Sequence, residues 1–471
     1  MVCPAATPRV TAGVSEITDD GAWCWYSDPR AFCNEGVVYA GWVTQFGDIR
    51  VAEHDLSGGA TFTATIAADF ERDDHANPSF HVTSDGRITA FYSKHSLEGS
   101  WTMYRTSAHP WDTSSWSEQH ATYIQTAGDG GSTYSHPVAV QSQTDTIFLF
   151  WRGWDWKPNY SIGAYDPESR TWSWSNARTL ITSYYGRPYA KYAASPNGRI
   201  AIAFTDGHPS ETRTELYFAY FGESKCCRLG YFRSDGTLIK HRSEGPLQPH
   251  EAEVVYRGAQ SPGAAPVEPW VWDVTVSDDG TPAIVYASFP ARTHHRYHWA
   301  FCEDGRWHDR VLVENSGGSI ADTTIAQPQY YYSGGLVLDS SDIGTVYLSR
   351  RNGNGGWDVE RWRTPDQGTT WSVEPVTQSS PLENVRPAVP RNRPASADVV
   401  LWMSGTYDFY RNEVVPRDDY YDTGIMLWVS DETPAGTGAP ECQAADVVTL
   451  GPCTPNPSRG VTRIDLTLPS E

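Results

Sequence analysis

One pattern recurs seven times along the chain: an apolar strand, a tight polar turn, then a second and more apolar strand. It runs from Phe32 to Tyr39 around Asn34-Glu35-Gly36, from Phe80 to Phe91 around Asp85-Gly86, and from Val138 to Phe150 around Thr144-Asp145. It returns from Tyr192 to Phe204 around Asn197-Gly198, from Val274 to Tyr286 around Asp279-Gly280, from Leu336 to Leu348 around Asp342-Ile343-Gly344, and from Ala388 to Trp402. Asp-Gly and Asn-Gly between apolar runs favour tight hairpins, because both turn positions accept positive φ. Successive turns lie about 50 to 80 residues apart, enough for four strands and their connections in each repeat. One such unit cannot bury its apolar faces alone, so the repeats must pack on one another. The sequence therefore predicts an all-β fold, a seven-bladed β-propeller.

A second motif falls in phase with the first. Thr364-Pro365-Asp366-Gln367-Gly368-Thr369-Thr370-Trp371 fits the Asp-box pattern S/T-x-D-x-G-x-T-W, and looser copies run from Asp55 to Phe62, Asp112 to Trp116, Asp166 to Trp172 and Asp304 to Trp307. In each, the Asp is expected to cap backbone N–H groups while the aromatic residue packs between neighbouring sheets. The interval from Gly198 to Gly280 is the longest and carries Cys226-Cys227 and a further turn signal at Asp235-Gly236. An insertion is expected there, over about 205–268, inside a propeller domain spanning 1–432. Beyond it, residues 433–471 turn rich in Pro, Gly, Ala and Thr and read as a linker. The stretch Pro455-Asn456-Pro457-Ser458-Arg459-Gly460-Val461-Thr462-Arg463-Ile464 resembles the start of a C-terminal sorting domain of Bacteroidetes-type secretion systems, cut short.

The net charge of −21 argues against nucleic acid or an anionic membrane as partner. No apolar stretch approaches the ~20 residues needed to cross a bilayer. Met1-Val2-Cys3-Pro4 lacks the features of a signal peptide and reads as a start residue on a mature sequence. Of the eight cysteines, Cys24 with Cys33 and Cys442 with Cys453 could each close a small loop, which would suit an oxidising compartment and a secreted protein. A monomer is expected.

Ring-shaped folds carry function on the loops at one mouth of the central channel. Asp73-Asp74-His75-Ala76-Asn77-Pro78-Ser79 leads into the second inner hairpin, and Tyr92-Ser93-Lys94-His95 leaves it, so His75 and His95 should share one mouth. Thr133-Tyr134-Ser135-His136-Pro137 and Trp151-Arg152-Gly153 are the equivalent ends of the third hairpin. Two neighbouring repeats would thus present His75, His95, Tyr134 and Arg152 together. Any one of them alone reads as an ordinary loop residue; the set does not.

These segments, together with Asp85-Gly86-Arg87 and Gly186-Arg187-Pro188-Tyr189-Ala190-Lys191-Tyr192, resemble the neuraminidase-repeat-type propeller family that contains the ulvan lyases of polysaccharide lyase families 24 and 25. The resemblance implies β-elimination in an anionic green-algal polysaccharide, next to a uronic acid. It implies His75 as base, Tyr134 as acid and in part as base, Arg152 as carboxylate clamp, and His95 as helper. Glucuronate and iduronate offer the C5 proton from opposite faces, which leaves the division between His75 and Tyr134 open. For Tyr134 to act as a base, a cation such as Arg152 must lower its pKa from the usual ~10. Tyr189, Arg187, Lys191 and Asn77 are expected to bind substrate, and His136 stands where the family motif would have Asn. No cofactor is expected in catalysis. His208, Cys226 and Cys227 are the candidates for a structural zinc, although adjacent cysteines on a strand point to opposite faces. Two other functions fit the same fold: a sialidase-like glycoside hydrolase and a non-catalytic glycan-binding propeller.

Overall fold

The computed structural model describes residues 13–430 except 96–100, 123–131, 141–143, 154–155, 184–185, 211–213, 259–266, 321–329 and 408–421. The described residues form strands and short 3-10 turns, with no α-helix among them. All seven hairpins read from the sequence are present, each as the first two strands of an antiparallel unit. Positive φ at Gly36, Gly86, Gly198 and Gly280 closes four of the turns, the conformation for which glycine carries no Cβ penalty.

Numbered in chain order, the first unit holds Ala31–Asn34, Val37–Val43, Ile49–Asp55 and Thr61–Ala67. The second opens with Ser79–Val82 and Ile88–Tyr92, the third with Thr133–Ala139 and Thr146–Arg152, and the fourth with Tyr189–Ala194 and Ile200–Thr205. Pro269–Val276, Leu336–Asp339 and Glu383–Ala388 begin the fifth, sixth and seventh. The last two are joined by one parallel bridge, Trp357 to Glu383. First strands of successive units contact one another in order, and a bridge from Phe32 to Arg391 brings the seventh back to the first. This closed sequence of sheets is a β-propeller, with both ends of the described chain in one sheet: Gly13–Thr18 pairs with Asp422–Val429. The long interval elaborates the fourth unit into six strands by adding Leu229–Phe232, Leu238–His241 and Glu253–Tyr256. Residues 433–471, expected as linker and sorting segment, lie outside the described residues.

The Asp-box turns behave as their composition demands. Asp366 Oδ1 accepts from the Thr370 N–H at 2.8 Å, and Asp166 Oδ1 accepts from the Glu168 N–H at 3.0 Å. Their tryptophans reach the preceding sheet: Trp371 lies edge-on to Trp299 at 5.6 Å, and Trp172 Nε1 donates to Thr89 Oγ1 at 3.2 Å. Edge-to-face packing of this kind adds to the area each ring buries.

The central channel is not empty. Between the edge strand Gly13–Thr18 and the first hairpin, the segment from Ala22 to Arg30 touches four other units. Trp23 Nε1 donates to Arg386 O (3.0 Å), Cys24 N to Asn77 Oδ1 (3.0 Å), Trp25 Nε1 to Val271 O (3.3 Å), and Lys191 Nζ to Trp25 O (2.6 Å). Only a segment laid across the ring can meet so many inner strands. Trp25 stacks on Trp272 at 4.1 Å, and below it Asp28 is ion-paired with Arg30 and Lys191, all three buried. Burial alone would raise the Asp28 pKa, but the two cations hold it well below the usual carboxylate range. Cys24 and Cys33, read as a loop-closing pair, are instead free buried thiols. Cys24 belongs to the crossing segment, whereas Cys33 pairs within the first hairpin and donates its backbone N–H to Arg391 O, so their strands of chain part company. Cys442 and Cys453 lie outside the described residues.

Arg386 ties the crossing segment to the ring. It is fully buried, donates to Trp23 O and to the Tyr407 hydroxyl at 2.7 Å each, and ion-pairs with Asp74. Arg386→Met leaves the Asp74 carboxylate buried beside one imidazole without this guanidinium, and should cost about 3–5 kcal/mol in denaturant unfolding. An unchanged midpoint would contradict the proposed closure.

Candidate active site

The second and third units build one cluster at the mouth opposite the hairpin turns. Asp73 caps the short 3-10 turn Asp74–Ala76 by accepting from the His75 N–H at 2.9 Å, which sets His75 just above the first strand. His95 follows the paired strand Ile88–Tyr92. The two imidazoles stack face to face, with ring centres 4.1 Å apart and planes within 8°. One carboxylate joins them: Asp73 Oδ1 is 2.5 Å from His75 Nδ1, and Asp73 Oδ2 is 2.7 Å from His95 Nδ1. Asp74 Oδ1 lies 2.8 Å from the same His75 nitrogen, near enough to pair but not aligned as a hydrogen bond. Asp74 Oδ2 is bonded by the Tyr407 hydroxyl and Arg386.

Tyr134 sits in a β-bulge, where the register of the third hairpin shifts between Thr133 and His136, and its φ is +65°. A non-glycine residue in this region costs about 1–3 kcal/mol and persists only where its surroundings fix it. Here the bulge turns the phenol ring out of the strand pleat and toward the histidines, 5.4 Å from His75 and 6.3 Å from His95 between ring centres. Arg152 ends the paired strand. Its Nη1 donates to the Tyr189 hydroxyl at 2.9 Å and to the Tyr134 hydroxyl at 3.4 Å. The guanidinium carbon also lies 4.5 Å from the Tyr134 ring centre and 4.7 Å from that of Trp156. Arg152 Nη2 is buried with no hydrogen-bond partner among the described residues. A small cavity lined by Tyr26, Tyr134, Arg152 and Tyr189 adjoins it.

Protonation follows from these neighbours. Burial would lower the His75 pKa, but the Asp73 and Asp74 carboxylates outweigh it and hold the ring well above the usual histidine range. His95 is driven the other way by its own burial and by the charge on His75, despite Asp73. Burial raises the Tyr134 phenol well above ~10, and Arg152, the cation expected to depress it, does not reverse this. At neutral pH the cluster therefore holds an imidazolium, a neutral imidazole, a neutral phenol and a guanidinium.

The structure thus gathers His75, His95, Tyr134, Arg152 and Tyr189. Arg187 lies 5.2 Å from the Trp156 ring centre. Two other expected substrate contacts are corrected. Lys191 points down the channel and is 1% exposed, bound to Asp28, because a buried carboxylate there requires a cation. Asn77, also 1% exposed, uses its amide on Cys24 N and Pro78 O. His136 is buried lower in the channel, against Tyr192. The zinc set does not assemble. His208 packs on Trp270 near Tyr189, while Cys226 and Cys227 are exposed on the turn at the other end of the eight-residue strand Leu216–Glu223, roughly 25 Å of chain away. Among the described residues, one trio of ligand-type atoms does come together, those of Asp73, His75 and His95, within 4.8 Å of one another. Asp73 joins the other two through their Nδ1 atoms. Asp73, Tyr26 and Trp156 were not singled out from the sequence; the doubled acid before His75 was the only signal among them. At the channel's opposite end, a cavity of about 710 Å³ lined by His81, His136 and Arg391 contains none of the gathered residues.

A ring of twisted antiparallel sheets with a polar cluster on the loops at one mouth is a β-propeller, a fold that hosts many unrelated functions. Residues 37–315 match the family described as BNR repeat-containing family member, and the chain belongs to that family. No curated protein matches it in sequence. Among solved structures, it is similar to one described as a new family of polysaccharide lyase, PL25 ulvan lyase, at 15% identity, covering 90% of this chain and 96% of that one with a TM-score of 0.64. A second structure of that lyase, bound to -[GlcA(1-4)Rha3S]-, gives 14% identity, the same coverage and the same score. The polysaccharide lyase Uly1 follows at 12% identity over 89% of this chain and 99% of its own, with a TM-score of 0.55. At these identities the likeness is one of fold. No helix among the described residues is long and apolar enough to cross a membrane.

The raised His75 pKa fixes the sign of a pH effect. The ion pair contributes fully below the unfolded value of ~6.5 and is lost as pH rises through the higher folded value. The stability gap between the native chain and His75→Gln, followed by thermal denaturation, should be largest near pH ~6 and shrink in alkali. A gap that widens with pH would contradict this arrangement.

Proposed function

We propose that the chain is a polysaccharide lyase that cleaves a uronic-acid-containing, sulfated polysaccharide of the ulvan type by β-elimination. The observation that carries this reading is the buried Arg152 guanidinium, which keeps one nitrogen unpartnered between two phenols and beside two imidazoles. A uronate carboxylate matches that nitrogen in charge and shape. Supporting it are the two ulvan-lyase structures of the same fold, one holding a glucuronate-rhamnose sulfate oligosaccharide.

The chemistry follows from the protonation states. A proton α to a carboxylate is weakly acidic, so the reaction needs the developing enolate stabilised more than it needs a strong base. Arg152 binds the carboxylate, and the His75 imidazolium adds a second positive charge close by. The neutral member of the imidazole pair takes the C5 proton, which moves the base from His75 to His95 in the resting state. The C5–H electrons form the C4–C5 double bond as the C4–O4 bond breaks, and the Tyr134 phenol protonates O4. Tyr189 holds Arg152 in line. Both products leave as shorter chains, one with an unsaturated uronyl end. A polymeric substrate suits a secreted enzyme.

The conjugated product absorbs in the ultraviolet, and this gives the test. Incubation with ulvan should raise that absorbance, Tyr134→Phe should cut the rate about 10²–10⁴-fold, and Arg152→Lys should lose a comparable amount through its missing fork. New reducing ends without ultraviolet absorbance would instead mean hydrolysis. Binding without turnover on any polyuronide would mean a glycan-binding protein.

A further inference from the structure

Asp73 hydrogen-bonds both imidazoles, and it does so through separate oxygens. Its carboxylate is 2% exposed and lies in the 3-10 cap that places His75, while its other oxygen reaches across to His95 on the next strand's end. A carboxylate accepts hydrogen bonds and donates none, so both Nδ1 atoms must carry hydrogen. Each ring is left with Nε2 as its only nitrogen able to act on anything else. The face-to-face stacking at 4.1 Å, unfavourable for two imidazoliums, is consistent with one shared positive charge balanced by the carboxylate between them.

We infer that Asp73 is a positioning residue that fixes both imidazoles in the Nδ1–H form, so that the pair presents two Nε2 atoms to the sugar while sharing one proton. This rests on the lyase reading for its consequence in catalysis, though not for the tautomers themselves. Other charged and titratable groups face the pair. Asp74 lies against His75 from the same turn; Glu71 accepts from the His95 backbone N–H; Cys24 lies in the crossing segment; Arg152 and Tyr134 face it from the third unit; and Arg386 acts through Asp74 from the seventh. Tyr134 packs against both rings, but the hydrogen bonds that join them run through Asp73. Asp73→Asn keeps the shape but offers an N–H to one ring, which forces that imidazole into the other tautomer or breaks its bond.

Two measurements test this. In the intact protein with ¹⁵N-labelled histidine, long-range ¹H–¹⁵N spectra assigned by His75→Gln and His95→Gln should show Nδ1–H for His95, with both nitrogens of His75 protonated at neutral pH. His95 carrying its hydrogen on Nε2 would overturn the inference, whatever the protein's activity. On ulvan, Asp73→Asn should lower kcat about 10²-fold or more with KM changed less than about threefold, and should shift the acid limb of the pH–rate profile. Asp73→Glu, which keeps two acceptor oxygens, should recover part of kcat. Full activity in Asp73→Asn would overturn the inference. If the native protein forms no unsaturated product, the lyase reading fails, and the spectra alone decide the role of Asp73.

Discussion

Everything at the functional mouth stands on the segment laid across the ring between Ala22 and Arg30. Sheets arranged in a circle leave an axial channel, and a channel open at both ends cannot bury a charged cluster. Here Trp23, Trp25 and Tyr26 close it from within, and Asp28, pinned between Arg30 and Lys191, anchors the segment in a region where an uncompensated carboxylate would be costly. The result is a cup. Its floor supports Asn77, Asp74 and thereby the turn that carries His75, and its wall includes the Tyr26 ring 5.2 Å from that of Tyr134.

On that floor, low dielectric makes each charge decisive. The cluster couples two carboxylates, two imidazoles, a phenol and two guanidiniums, and their pKa values are pushed apart rather than together. That separation is what assigns roles to chemically similar groups. His75 and His95 are equivalent as residues in a motif. Asp74 adds a second carboxylate to His75 and not to His95, while the charges of His75 and Arg152 push His95 the other way. The positive φ at Tyr134 belongs to the same logic, since an unbulged strand would leave the phenol in the plane of its neighbours and away from Arg152.

Much of this was legible in the sequence. The Asn-Gly and Asp-Gly turns marked the hairpins, and the phase of the Asp boxes marked the outer turns, because both are local chemistry. Corresponding ends of adjacent repeats then placed His75, His95, Tyr134 and Arg152 at one mouth. Lys191 shows where that reasoning stops: inner-strand residues alternate between neighbouring sheet and channel, but depth along the axis depends on a partner, Asp28, more than a hundred residues away in sequence. Asn77 was misread for the same reason, since its partner is a backbone N–H of the crossing segment, whose sequence carries no strand or turn pattern. Cys226 and Cys227 stood near His208 in sequence but are separated from it by a full strand length, so spacing alone gave a false ligand set. The protonation order of the histidines could not be read at all without Asp74 and the burial of the whole cluster.

The most direct test is a crystal structure of the Tyr134→Phe variant soaked with a short uronate-containing oligosaccharide. A uronate carboxylate on Arg152 Nη2, with C5 within about 3–3.5 Å of an imidazole Nε2, is the expected result. A sugar seated in the cavity at the channel's other end, or lying over the cluster with its carboxylate turned away from Arg152, would contradict the elimination mechanism at its root.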